Sequence, residues 1–246
     1  MDRLVYTAMT GARHILDQQA TTSNNLANAT TTGFRAQLDT FRAVPVQSAG
    51  LPTRTFVVDS TVGSDFRAGP IETTGRSLDV ALRGEGWIAV QSNDGSEAYT
   101  RAGSLKVNEN GLLQTTSGLT LQGEGGPIAV PPDTSVMIAG DGTVSTITNE
   151  MQPGPSNVLG RIKLVNPPPD GLLRGADGLF RQQDGTPAPL DPNVRLVDGA
   201  LEGSNVNPID SMVNMIALAR SFETQMSLLK NAENNAAKAT QILALN

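Results

Sequence analysis

The C-terminal forty residues carry the clearest apolar periodicity in the chain. Met212, Met215, Ala219, Phe222, Met226, Leu229, Glu233, Ala236, Thr240 and Leu243 fall on one line at steps of three and four, interrupted only by Glu233 and Thr240. That spacing is the seam of a coiled-coil-type helix. Asn207 is placed as its N-cap, Pro208 at the first helical position, and Asp210 in the first turn, where a carboxylate faces the positive end of the helix dipole. No Gly or Pro follows Pro208. At ~1.5 Å per residue the helix reaches about 57 Å, so its seam needs a partner from elsewhere in the chain or from another molecule.

Residues 2–31 offer a second stripe. Val5, Ala8, Ala12, Ile15, Gln19, Thr22 and Leu26 repeat at three and four, apolar in the first half and fading in the second. Gly33 is placed as the stop after a Thr-rich run, and Phe34 leaves the helix. The two terminal stripes are complementary and predict one antiparallel unit.

The pattern between them changes from helical to alternating. Short β-prone runs cover 54–58, 77–82, 87–91, 104–107, 119–121, 136–138, 143–147 and 161–165. They are separated by Asp94-Gly95, Asn110-Gly111, Asp141-Gly142, Asp177-Gly178, Asp184-Gly185 and Asp198-Gly199, dipeptides that tolerate the positive φ of tight turns. Gly11 is the only glycine before residue 33, none follows Gly203, and Pro208 is the only proline outside 45–192. The expected fold class is α+β: long N- and C-terminal coiled-coil-like helices packing together and bracketing an all-β central domain. The expected divisions are an N-terminal assembly helix at 1–33, a linker with one short strand at 34–69, a β-rich domain with return loops at 70–203, and a C-terminal assembly helix at 204–246.

Composition narrows the function. The net charge is −6, and the ends are balanced, with two acidic and two basic residues in 1–33 and three of each in 207–246. The excess negative charge therefore lies in the middle, which argues against a nucleic-acid ligand, and neither end is basic enough to hold a membrane surface. No run approaches the length of a membrane-spanning helix, so no membrane insertion is expected. Residues 1–4 show no charged segment followed by an apolar one, so no cleaved secretory signal is expected. Cysteine is absent, which removes disulfides, thiolate metal sites and Cys nucleophiles.

Reactive constellations are equally scarce. His14 is the only histidine, so triads and His-rich metal sites have no second member. Residues 69–77 resemble a phosphate loop but have five residues between the glycines where four are needed, and Arg76 in place of Lys. Trp87 lies in a β run and reads as core. No cofactor or metal site is expected. The residues alone favour a structural assembly protein whose weak helices gain order when other copies cover them. A reading from another class is a β-rich periplasmic hydrolase or carbohydrate-binding module with helical oligomerisation ends.

Three stretches carry a resemblance. Ser23-Asn24-Asn25-Leu26-Ala27-Asn28 with Thr30, Thr32, Gly33 and Phe34 is similar to the N-terminal signature of bacterial flagellar rod and hook proteins. Leu78 to Trp87 and Tyr99 to Ser104 resemble that family's β-domain motifs, and Ser204 to Asn207, Val213 to Ile216 and Arg220 to Glu223 its C-terminal helix. Residues 51–59 and Asn207-Pro208 look most like the proximal rod type, with the distal rod and hook types as paralogues. The resemblance implies a non-enzymatic subunit of the torque-transmitting drive shaft. It would pass through the flagellar export apparatus without a cleaved signal and assemble in the periplasm with other rod proteins and copies of itself. The residues expected at the assembly interface are Val5, Ala12, Ile15 and Leu26 against Met212, Met215, Ile216, Phe222, Met226 and Leu229 of the same or neighbouring subunits. Asn24, Asn25 and Asn28 are expected either as contacts between subunits or as polar residues ending the helix.

Overall fold

A computed structural model describes residues 2–45, 55–148 and 156–244. The chain divides into two compact units, one comprising Met1–Ala29, Ala36–Asp65 and Val206–Asn246, the other Thr30–Arg35 and Phe66–Asn205.

The first unit contains helices α1 (Asp2–Ala27) and α2 (Pro208–Ala244) and an antiparallel hairpin of strands β1 (Gln37–Pro45) and β2 (Thr55–Ser64). α2 begins as its residues dictate: the Asn207 side chain accepts the Ile209 amide at 3.0 Å, satisfying one of the amides that a helix start leaves unpaired. α1 packs against both α2 and the hairpin. The hairpin corrects the expectation of a linker with one strand. Thr55 to Val58, rich in β-branched residues, is the legible half, whereas Gln37–Pro45 mixes Asp39, Arg42 and Pro45 into its run and gives little strand signal. Residues 51–54 of the stretch likened to the proximal rod type lie outside the described residues.

The coiled-coil expectation is also corrected. Among the described residues the chain has two α-helices around a β-rich middle, so the class is α+β, but the long seam read from the sequence is not the line that α2 covers. No α2 residue with a described side chain is buried, and the least exposed line is Ser211, Met215, Leu218, Phe222, Gln225, Leu229 and Ala232. That line shares Met215, Phe222 and Leu229 with the expected seam, but puts Leu218 and Gln225 where Ala219 and Met226 were expected. A Cβ built on Gly11 of α1 would stand 3.6 Å from the Gln225 amide nitrogen, so a bare backbone face of α1 meets a polar side chain one residue before the expected Met226.

The second unit is β-rich. Its largest sheet orders strands Leu172–Arg174, Phe180–Gln182, Glu97–Thr100, Trp87–Gln91, Thr120–Gly123, Leu113–Thr115 and Leu105–Val107 in antiparallel succession, and Leu164–Val165 also joins Trp87–Gln91. Strands Thr134–Ile138, Thr143–Thr148 and Asn157–Arg161 form a second sheet, while Val80–Arg83 pairs with Arg195–Asp198 and Ile71–Thr73 with Ala200–Glu202. The segment 166–203 thus supplies strands as well as return loops. The run Trp87-Ile88-Ala89-Val90 is apolar throughout because both faces of its strand are covered. Ile88 and Val90 enter the main core with Val80, Leu82, Leu105 and Leu121. Trp87 and Ala89 enter a second core with Tyr99, Leu172 and Phe180. Trp87 and Phe180 lie 4.5 Å apart between ring centroids with their planes tilted by 45°, a contact that avoids the unfavourable face-to-face sandwich.

Tyr99 closes the second core. Its hydroxyl donates to Glu97 Oε1 at 3.0 Å and accepts the Ala188 amide at 2.7 Å, and burial pushes its pKa up to about 12. An ordinary tyrosine ionises near pH ~10, so the unfolded chain loses this proton first. The stability linked to Tyr99 is intact below that pH and is lost as pH rises toward the folded value. The urea midpoint of the native chain is therefore expected to fall more steeply through this window than that of Tyr99→Phe; parallel curves would rule the linkage out.

Candidate assembly interface

α1 presents two covered flanks and one open stripe. Ala12 is buried, and Ala8, Ile15, Gln19, Thr22 and Leu26 are half-buried along the line read from the sequence. The second flank meets the hairpin: His14 stands edge-on to Phe41 at 5.3 Å, and Thr21 donates to Asp39 at 2.9 Å. Asn25 forms a two-way bond with Gln37, donating from Nδ2 to its carbonyl at 2.9 Å and accepting its amide on Oδ1 at 2.8 Å. Asn25 is thereby committed within the chain, extending the hairpin edge onto the helix. Asn28 Nδ2 returns to the Asn24 carbonyl at 2.9 Å at the helix end, and Asn24 is exposed. The open stripe is Tyr6, Met9 and Leu16. The side chain of Val5 lies outside the described residues.

α2 leaves more apolar surface uncovered. Ile209, Met212, Val213 and Ile216, spaced i, i+3, i+4, i+7, are 71%, 52%, 60% and 57% exposed, and Met226 and Leu228 are exposed further along. Met215, Phe222 and Leu229 are half-buried. The structure therefore separates the expected interface residues into a partly covered set and an open set on the same helix.

A third feature carries no local sequence signal. Residues 30–35 continue directly from α1 yet belong to the β-rich unit, where they are held by a buried ion cluster. Arg35 Nη2 lies 2.6 Å from Glu202 Oε1, Arg101 Nη1 lies 2.9 Å from Glu202 Oε2, and all three side chains are 4% exposed or less. Arg101 also donates to the carbonyls of Gly86 at 2.9 Å and Gly84 at 2.6 Å, and its guanidinium stands 5.4 Å from the Trp87 ring centroid. Burial pulls the Arg101 guanidinium below its ordinary value, and the Glu202 charge opposes that pull. Two guanidiniums face one carboxylate, and Arg35 Nε and Nη1 are buried without a hydrogen-bond partner among the described residues. Arg174 closes the cluster from outside, donating to the Arg35 carbonyl at 2.7 Å and stacking over Phe34 at 4.5 Å.

Gly33 fits this segment to the unit. Its φ of +69° suits glycine, and a Cβ there would lie 2.4 Å from the Ala102 amide nitrogen. Arg35 and Glu202 are 167 residues apart, and Arg101 and Glu202 are 101 apart, so neither pairing could be read from spacing. The only hint was that Gly33-Phe34 and Arg101 fall inside the motifs that carry the resemblance.

Comparison with known proteins matches three segments of the chain. A family model described as flagella basal body rod protein covers residues 5–35, one described as flagellar hook protein FlgE/F/G D1 domain covers 81–146, and one described as flagellar basal body rod FlgEFG protein C-terminal covers 197–242. Each segment contributes one member of the buried cluster: Arg35, Arg101 and Glu202. The flagellar basal-body rod protein FlgF of Escherichia coli (strain K12) is 48% identical over 255 residues, spanning 100% of both chains. FlgF of Salmonella typhimurium (strain LT2) is 45% identical over 251 residues, again across 100% of both. The rod protein FlgG of Bacillus subtilis (strain 168) is 30% identical, covering 95% of this chain and 96% of its own. Full-length identity of this order, together with matched segments at both helices and in the β-rich middle, places the chain in the flagellar basal-body rod protein family, of the FlgF type.

Proposed function

We propose that this chain works in the flagellar basal body as a proximal rod subunit that joins other rod proteins and copies of itself through α1 and α2. It is a structural rod subunit, and the family contains no enzymes, so the reading as a hydrolase or carbohydrate-binding module is set aside. The observation that carries the assembly reading is the open apolar stripe Ile209, Met212, Val213 and Ile216 at the start of α2. A helix that exposes such a stripe gains stability when a neighbouring molecule covers it. Ala12, Ile15, Leu26, Met215, Phe222 and Leu229 then form the inner side of the same contact, while Met226 extends the outer side. The periplasmic rod is the proposed location, reached through the flagellar export apparatus. A chain without cysteine suits that route, since nothing in it can mispair in an oxidising compartment.

Phe222→Asp tests the reading. A charge at this half-buried position is expected to abolish rod assembly and motility while the purified variant keeps the native melting transition of its β-rich unit. A motile strain with normal rods carrying the substitution would sink the proposal.

A further inference from the structure

Glu202 is the side chain at which three separated stretches of the chain meet. Its carboxylate takes Arg35 Nη2 at 2.6 Å, Arg101 Nη1 at 2.9 Å and the Gly69 amide at 2.9 Å, and its carbonyl takes the Gly33 amide at 2.7 Å. Asn205 adds a second tie, donating its side-chain amide to the Arg67 carbonyl at 3.0 Å and its backbone N–H to the Phe34 carbonyl at 3.4 Å. Residues 35, 66 and 205 are the points at which the chain passes out of the β-rich unit toward β1, β2 and α2. The first two segments are each bonded to the third, at Glu202 and Asn205, within a few residues of where they leave the unit.

We infer that the Arg35–Glu202–Arg101 cluster is a mechanical clasp. A pull or twist arriving along any one of these segments is shared among them and handed on through Arg101 to the Trp87–Gln91 strand inside the main sheet, so that no segment is peeled away alone. Charge gives the clasp direction. Short N–H to carboxylate bonds between ions are about twice as strong as neutral ones, and these are buried from the salt that weakens surface pairs. Well-packed apolar residues could match such a cluster in plain stability, so fold stability alone does not account for it. A bonded hub differs from an apolar patch in resisting sliding of one segment past another. The inference rests on the rod-subunit reading for the origin of the force, but the clasp itself can be measured on the isolated protein.

The experiment is single-molecule pulling of the full-length chain. Because the sequence has no cysteine, introduced pairs place the handles uniquely. Handles at Ala29 and Val206 load the clasp, while handles at the exposed Glu109 and Gln183 load the same unit elsewhere. In Glu202→Gln, the first rupture between 29 and 206 is expected to speed up roughly tenfold to hundredfold at zero force, the equivalent of one lost charge-assisted bond, with rupture between 109 and 183 unchanged. Equal acceleration in both geometries would reduce the cluster to an ordinary stabilising contact, and no acceleration between 29 and 206 would remove the clasp; either result overturns the inference. If Glu202→Gln does not fold, Arg35→Met, which keeps the Glu202 bonds to Arg101 and Gly69, is read by the same comparison.

Discussion

Replacing Glu202 with Gln is expected to lower the unfolding free energy of the β-rich unit by about 3–5 kcal/mol, because two buried guanidiniums are left facing each other without a counter-charge. The carboxylate has no exposed surface and accepts from Arg35, Arg101 and the Gly69 amide, so water cannot replace what is removed. A glutamine also turns two hydrogens toward donors. Chemical denaturation of the full chain measures the effect. A change below about 1 kcal/mol would place the cluster with solvent-screened surface pairs, whose removal costs little, and would contradict its burial.

Gly33→Ala should be the second large loss, about 3 kcal/mol. The left-handed conformation costs an L-residue ~1–2 kcal/mol, and the new methyl would sit 2.4 Å from backbone atoms of Arg101 and Ala102, too close for side-chain rotation to relieve. Residues 30–35 must then lift, drawing Arg35 from Glu202. The control is Gly118→Ala: its φ of +93° is also left-handed, but nothing lies within 4 Å of the added Cβ. It should show the conformational cost alone. Proteolysis near residues 30–35 should accelerate in the first variant and not in the second; equal losses of stability in the two would mean that the close approach to Ala102 is not maintained in solution.

Much of the local structure was legible because it is locally caused. Asn207-Pro208 starts α2, and the six Asp-Gly and Asn-Gly glycines named from the sequence all adopt positive φ. The Trp87–Gln91 run is a strand from end to end. What was not legible depends on partners. On α2, the lines through Met212 and Ser211 share Met215, Phe222 and Leu229; apolarity selects the first, whereas the neighbours within this chain cover the second. β1 carries a weak strand signal and forms against β2 and α1. The cluster of Arg35, Arg101 and Glu202 joins charges that single-chain periodicity treats as solvated surface, and only their tertiary placement distinguishes them from the other arginines and acids.

The pairing of the two ends of the β-rich unit also sets an order of events. Strand Ile71–Thr73 waits for Ala200–Glu202, Val80–Arg83 waits for Arg195–Asp198, and Arg35 waits for Glu202. A chain that emerges N-terminus first holds these early segments unpaired until its late ones arrive, and closure of such distant contacts is intrinsically slow. The clasp is therefore a clock as well as a fastening: it withholds the finished unit until the chain is present through Glu202.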